Sequence, residues 1–148
     1  MTETEYLEIE RRAEFKSEFR DGEIIPMSAV NRWQSLIAVN LCAELGKHLR
    51  GRTCTVYNSQ LRVKVEAAEF YTYPDLSIAS DDQQFEAAYD DDTLLTPAVI
   101  VEILSDSREA YDRGKKFELY RQIPSLREYL LVSQHKPLVE QFIRQESG

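Results

Sequence analysis

PAVIVEILSDSREAYDRGKKFELY, residues 97–120, is the stretch on which the fold turns. Residues 98–104 are a short apolar run rich in β-branched side chains, the pattern of a strand buried on both faces. Glu102 interrupts that run, and a carboxylate there is costly unless something pairs with it. After a polar turn, residues 108–122 read as a helix. At about 3.6 residues per turn, Lys116 shares one helix face with Asp112, Leu119, Tyr120 and Ile123, while Lys115 faces outward with Glu118 and Gln122. A buried strand therefore aims a carboxylate, and the inner face of the next helix an ammonium, toward one region.

The chain has 148 residues and is 43% hydrophobic, which suffices for a single domain with one sizeable core and is too short for two ordinary ones. Lys and Arg total 18 against 26 Asp and Glu, for a net charge of -8 and a pI ≈ 4.8. That balance weakens the case for a broad basic surface that binds nucleic acid, but it leaves room for a local basic groove or for metal ions that supply positive charge. The N-terminal MTETEYLEIERRAEF lacks the apolar core of a signal peptide, and no apolar run is long enough to span a bilayer. The expectation is a soluble cytoplasmic protein with no membrane partner. Cys42 and Cys54 have no CxxC spacing and read as buried thiols, while His48 and His135 are far apart. Any metal would thus be held by oxygen.

Residues 3–14 read as a charged helix with a solvated face. A β-hairpin follows, residues 15–19 and 23–27 joined at Asp21-Gly22, with Glu18 either a solvated strand residue or a carboxylate reaching the same site as Glu102. Asn31 is a helix N-cap, and Trp33, Ile37, Leu41 and Leu45 recur every four residues as core packing up to Gly51. Strands at 53–57 and 61–65 come next, the second with Val63 and Val65 inward and Arg62 and Lys64 on the wet face or against phosphate. In YPDLSIA, residues 73–79, Pro74 belongs at a strand start and sets Asp75 just inside it, on the face of Ser77 and Ala79. Asp75 alone is equally well explained as a strand-entry residue bonded to a loop amide. The acidic loop 81–92 matches no calcium motif and is assigned no chemistry, and residues 128–133 and 138–144 form a terminal hairpin. The sum is an α+β domain around a mixed β-sheet flanked by helices.

Asp75, Glu102 and Lys116 stand on successive elements. Two carboxylates brought together repel, so an apolar setting favours them only with a proton or a cation between them. Mg²⁺ or Mn²⁺ suits such a pair, and a metal so held polarises a phosphodiester and activates a water, with a nearby lysine to stabilise developing charge. Taken singly, Lys116 has a plainer explanation as the partner of Asp112 four residues earlier.

Pro74-Asp75, then VEILS at 101–105, DRGKKFELY at 112–120 and PSLREYLLV at 124–132 together resemble the Uma-two family of restriction-endonuclease-like proteins, within the PD-(D/E)xK nuclease superfamily. EFRDGEIIPM, residues 18–27, matches the family's N-terminal hairpin, so the resemblance covers roughly residues 10–145. It implies a restriction-endonuclease-like fold and Mg²⁺- or Mn²⁺-dependent hydrolysis of phosphodiesters, with nucleic acid, DNA above all, as partner. It also implies Asp75 and Glu102 as metal ligands, Lys116 as the catalytic lysine, Glu18 as a further acid, and Tyr120 and Asp112 orienting Lys116. Two departures stand out. The parent motif's lysine position holds Leu104, so Lys116 must reach in from the helix, and a histidine common early in the first long helix is absent, its place taken by Gln34. Cleaving both strands of a duplex calls for two sites, hence a homodimer. The rival readings are a non-catalytic nuclease-fold module that binds a protein or nucleic acid, and an acidic adaptor that oligomerises through its N-terminal segment or terminal hairpin.

Overall fold

In the computed structural model, which describes residues 1–87 and 92–146, residues 97–120 become a strand, a turn and a helix broken in two. The elements in order are α1 (Glu3–Arg12), β1 (Ser17–Arg20), β2 (Glu23–Pro26), α2 (Arg32–His48), β3 (Thr55–Tyr57), β4 (Arg62–Val65), a 3₁₀ turn (Glu66–Ala68), β5 (Phe70–Thr72), β6 (Leu76–Ala79), β7 (Thr93–Leu94), β8 (Pro97–Ile103), α3 (Glu109–Arg113), α4 (Lys115–Tyr120), β9 (Glu128–Val132) and β10 (Val139–Ile143). Asp90 and Asp91 of the acidic run lie outside the described residues.

The strands make two five-stranded sheets rather than one. The first has the order β2-β1-β5-β4-β7 and the second β10-β9-β8-β6-β3. Each sheet is mixed, since β4 pairs with β7 in parallel and β8 with β9 in parallel, while the other pairs are antiparallel. The parallel β8–β9 pair needs a crossover, and α3 and α4 supply it. The predicted helix breaks at Gly114, whose φ of -103° and ψ of -96° are not helical, although Gly114 N–H still reaches the Ala110 carbonyl at 3.0 Å. Glycine is the residue with most backbone freedom to lose in a helix, so the break falls where propensity is lowest.

Side-chain alternation along β8 separates two cores. Ile100 and Leu104 join Leu119, Tyr120, Ile123 and Tyr129 in the main core, together with Val63, Val65 and Phe70 of the first sheet. Val101 and Ile103 face the other way, against Ile37, Leu41 and Leu45 of α2. Helix α2 begins as expected at Asn31, whose side chain forms a capping box with Gln34. Trp33, however, is not in that core and stays 50% exposed. Cys42 and Cys54 are half-buried free thiols rather than fully buried ones. Among the described residues no helix is long and apolar enough to cross a membrane.

Helix α1 is less solvated than its charge suggests, because Tyr6 and Leu7 pack on Phe19 and Tyr71 of the first sheet. The hairpin turns at Asp21 and Gly22, with φ of 53° and 77°, as the Asp-Gly pair predicts. Arg62 is the clear reversal: it is buried, its guanidinium bonded to Thr93 Oγ1 (2.8 Å), Tyr73 Oη (3.1 Å) and Asp92 Oδ1 (2.9 Å). The acidic loop supplies its counter-charge, and Glu86 does the same for Lys64. Phe19 is 2% exposed and stacks on Tyr6 with ring centroids 5.1 Å apart. Phe19→Ala is expected to destabilise the protein by about 3–5 kcal/mol, read as a lower urea midpoint with an unchanged slope.

Candidate functional site

The chain passes from β5 in the first sheet to β6 in the second through Tyr73, Pro74 and Asp75, so Asp75 sits at the corner between the sheets. Leu76 lies opposite Val101 in the β6–β8 ladder, and the next step sets Asp75 against Glu102. Asp75 N–H donates to Glu102 Oε1 at 3.1 Å, and Ile103 N–H donates to Asp75 Oδ2 at 2.7 Å. Each acid is thus held by the backbone of the other's strand. Pro74 favours this corner because a residue without N–H is suited to a strand entry.

Lys116 enters from α4 and is wholly buried, with Nζ 2.5 Å from Glu102 Oε2, 3.5 Å from Glu18 Oε2 and 3.9 Å from Asp112 Oδ1. The intrahelical partner Asp112 is the most distant of the three, so the main pairing of Lys116 is across the fold, with Glu102. Tyr120, one turn further along α4, donates to Glu102 Oε2 at 2.8 Å. Glu18 is buried rather than solvated, accepting from Thr72 Oγ1 (2.5 Å) and Tyr111 Oη (2.9 Å). The structure therefore brings Asp75, Glu102, Lys116, Glu18 and Tyr120 into one cluster, with Asp112 at its edge.

Sequence reading missed Arg108 and Tyr111. Arg108 Nη2 lies 3.9 Å from Asp112 Oδ1, and its guanidinium feels Glu102, Asp112, Glu18 and Asp75 together. The available signal was its spacing, four residues before Asp112 and eight before Lys116, which puts all three on one helix face. Gln34 also reaches in: its Nε2 donates to the Ile103 carbonyl at 3.4 Å. Tyr73, two residues before Asp75, donates to Glu10 Oε2 at 2.7 Å while accepting from Arg62, which ties the corner to α1 and the first sheet.

Electrostatics sort these acids. Burial first and the Glu102 charge second push Asp75 up to about 7. Asp112 rises to about 7 through the same two influences. Burial works to raise Glu102 as well, but Lys116 and Arg108 outweigh it and hold Glu102 below the usual carboxylate range. Burial would lower Lys116, but Glu102 and Glu18 outweigh it and keep the ammonium charged. Tyr120 is pushed well up by burial and by Glu102, so it stays a neutral donor.

Four acids (Asp75, Glu102, Glu18 and Asp112) thus face Lys116 and Arg108, with Lys16 also within reach of the Asp75 charge, which leaves a negative surplus when all are ionised. Asp75 and Glu102 supply hard oxygen donors that suit Mg²⁺ or Mn²⁺. Among the described residues no group of three or more His, Cys, Asp or Glu is arranged to hold a metal ion. An ion held by this pair would keep water and substrate oxygens in its other positions.

The model of the Uma2 family, described as "Putative restriction endonuclease", matches residues 4–148. Two relatives from Synechocystis carry no assigned function: the "Uncharacterized protein slr1290" is 36% identical over 97% of this chain and 74% of its own length, and "Uncharacterized protein sll1609" is 34% identical over 96% and 80%. Among solved structures, a "putative nuclease belonging to DUF820" from Anabaena variabilis superposes with a TM-score of 0.73 at 19% identity, covering 97% of this chain and 85% of that one. At that identity the likeness speaks for a shared α+β, restriction-endonuclease-like fold.

The raised Asp75 has a measurable consequence. Between about pH 4 and 7 the folded protein holds a proton on Asp75 that the unfolded chain has released, so stability falls as pH rises through this window. Asp75→Asn removes the charge and keeps an acceptor for Ile103 N–H. With a chelator present, the variant is expected to exceed the wild type in stability at pH 8 by on the order of 1–3 kcal/mol, the gain fading toward pH 4. Urea titrations at stepped pH read the difference, and a variant less stable at pH 8 contradicts the placement of Asp75 against an ionised Glu102.

Proposed function

The chain belongs to the Uma2 family, and from that premise we propose that it is a nuclease that hydrolyses phosphodiester bonds in DNA with Mg²⁺ or Mn²⁺. One observation carries this reading: Asp75 is held against a Glu102 that a buried lysine keeps ionised. A bound cation at this pair would polarise the phosphodiester and lower the pKa of an attacking water. The chain's own groups do the rest. The Ile103 amide orients Asp75, and the Asp75 amide and the Tyr120 hydroxyl orient Glu102, so the two donors keep their aim without help from substrate. Lys116 lies behind Glu102, out of contact with solvent, and its charge offsets negative charge that develops on the phosphoryl oxygens. Glu18 holds the far side of Lys116 and extends the acidic wall. A homodimer would supply the second site that duplex cleavage on both strands requires.

A specific observation also favours a non-catalytic module that binds a protein or nucleic acid. Both oxygens of Glu102 already have partners, as in a purely structural polar network. Calorimetry with Mn²⁺ and cleavage of single- and double-stranded DNA decide between the two. The nuclease reading expects Asp75→Ala and Glu102→Ala each to abolish divalent binding and to lower cleavage by on the order of 10²-fold or more while the proteins stay folded. Wild-type protein that binds no divalent ion, alone or with DNA, and cleaves nothing supports the module. Lys116→Met is expected to cost roughly 10²–10³ in kcat. Part of that loss should return as pH is raised, because Glu102 without its lysine ionises at higher pH.

A further inference from the structure

Beside the acid cluster two cavities open and meet at Ser28, Ser107 and Arg108. The nearer, about 190 Å³, has Glu18, Arg20 and Tyr111 in its wall. The farther, about 290 Å³, is walled by Asn31, Trp33, Gln134 and His135. An occupant that spans both meets cations and an acid cluster at one end and an aromatic ring with side-chain amides at the other. That is the chemical pattern of a nucleotide strand, anionic along its backbone and flat with donor and acceptor edges at its bases.

Trp33 is the least expected member. It starts the apolar stripe of α2, yet Ile37, Leu41 and Leu45 pack on the second sheet while Trp33 remains half exposed. Leaving the largest apolar side chain in water forfeits burial that the rest of the stripe obtains. The Arg32 guanidinium sits 4.4 Å from the ring centroid and covers one face of the indole. Beside it, Asn31 Nδ2 donates to Gln134 Oε1 at 3.1 Å, and Gln134 Nε2, a buried atom, has no hydrogen-bond partner among the described residues. Hydroxyls of Ser28, Ser105 and Ser107 line the same cavity. At the rim, His135 Nε2 lies 2.8 Å from Asp106 Oδ1, so that acid already has a partner.

We propose that Trp33 and the Asn31–Gln134 amide pair form a subsite for an unstacked base of single-stranded nucleic acid, whose backbone passes Arg108 and Arg20 toward the acid cluster. The proposal rests on the nuclease reading only for what happens at the cluster. It also accounts for how a chain of net charge -8 takes an anionic strand: two arginines and base stacking, rather than a broad basic face, provide the contact. Stacking on tryptophan requires a base free of its neighbours, which is why the strand is single and not a continuous duplex.

The chain has one tryptophan, so its emission reports this position alone. The full-length protein is titrated with a short single-stranded oligodeoxynucleotide, and separately with a blunt duplex of the same sequence, in buffer with Ca²⁺ and again with EDTA. Saturable quenching by the single strand, with weaker quenching by the duplex, is expected. Trp33→Ala should weaken single-strand binding, followed by fluorescence anisotropy of a labelled oligonucleotide, by about ten-fold, and Trp33→Phe by less. The residue is exposed, so both variants should keep the wild-type melting temperature. Binding with unchanged emission and an unaffected Trp33→Ala overturns the subsite, as does absence of any binding. An emission shift that follows protein concentration alone assigns this face, with exposed Leu36 and Val39, to a second copy and also overturns it. Cleavage with unchanged emission sinks the subsite and spares the nuclease reading; quenching by a protein that never cleaves does the reverse.

Discussion

The buried contact between Lys116 and Glu102 is the constraint on which the rest depends. A lysine with no solvent exposure is tolerated only if its charge is met, and Glu102 meets it from the central strand of the second sheet. Three further acids lie around them, helped by Arg108 and, beside Asp75, by Lys16, so the cluster stays over-supplied with negative charge. The folded chain relieves this by holding Asp75 and Asp112 near the neutral range, which keeps them partly protonated. Burial and proton uptake are thus two expressions of one electrostatic imbalance.

Position follows from the sheets. Asp75 lies in the three-residue stretch between β5 and β6, one of the places where the chain passes from one sheet to the other, and it is held from both sides. On one side the β6–β8 register sets it opposite Glu102. On the other, Tyr73 is fixed by Glu10 of α1 and by Arg62 of β4, with Arg62 anchored in turn to Thr93 and Asp92. Hydrogen-bonded networks of this kind hold geometry more firmly than their separate bonds suggest. The N-terminal helix, remote in sequence from Asp75 and Glu102, therefore belongs to the support of that pair.

Much of the site was legible along the chain because a carboxylate within an apolar β-run and a lysine on the inner face of a helix both violate ordinary burial, and such violations call for partners. Period also served well: the two faces of β8, the Asp-Gly hairpin and the Asn31 cap all follow from local pattern. Alternation misled at Arg62. A strand residue on the polar phase reads as solvated, but here Asp92, thirty residues further along, pairs with the guanidinium. Glu18, for which the solvated and the site reading both stood open, is buried into the cluster by α3 and β5 through Tyr111 and Thr72. Trp33 erred in the opposite direction, since a helical stripe tells which side chains align and not where the neighbouring sheet ends.

What the sequence by itself determined was local: most of the strands and helices, though not β5 or β7, which residues share a face, and which side chains are out of place on it. Those follow from backbone sterics and from periods of about two and 3.6 residues, which act over a few neighbours. The tertiary structure alone decided that the strands split into two sheets, that Lys116 answers Glu102 at 2.5 Å more closely than Asp112 at 3.9 Å, and that Arg108 joins them. The reason is that electrostatic partners are chosen by distance and desolvation in three dimensions, and neither quantity exists until distant segments have packed.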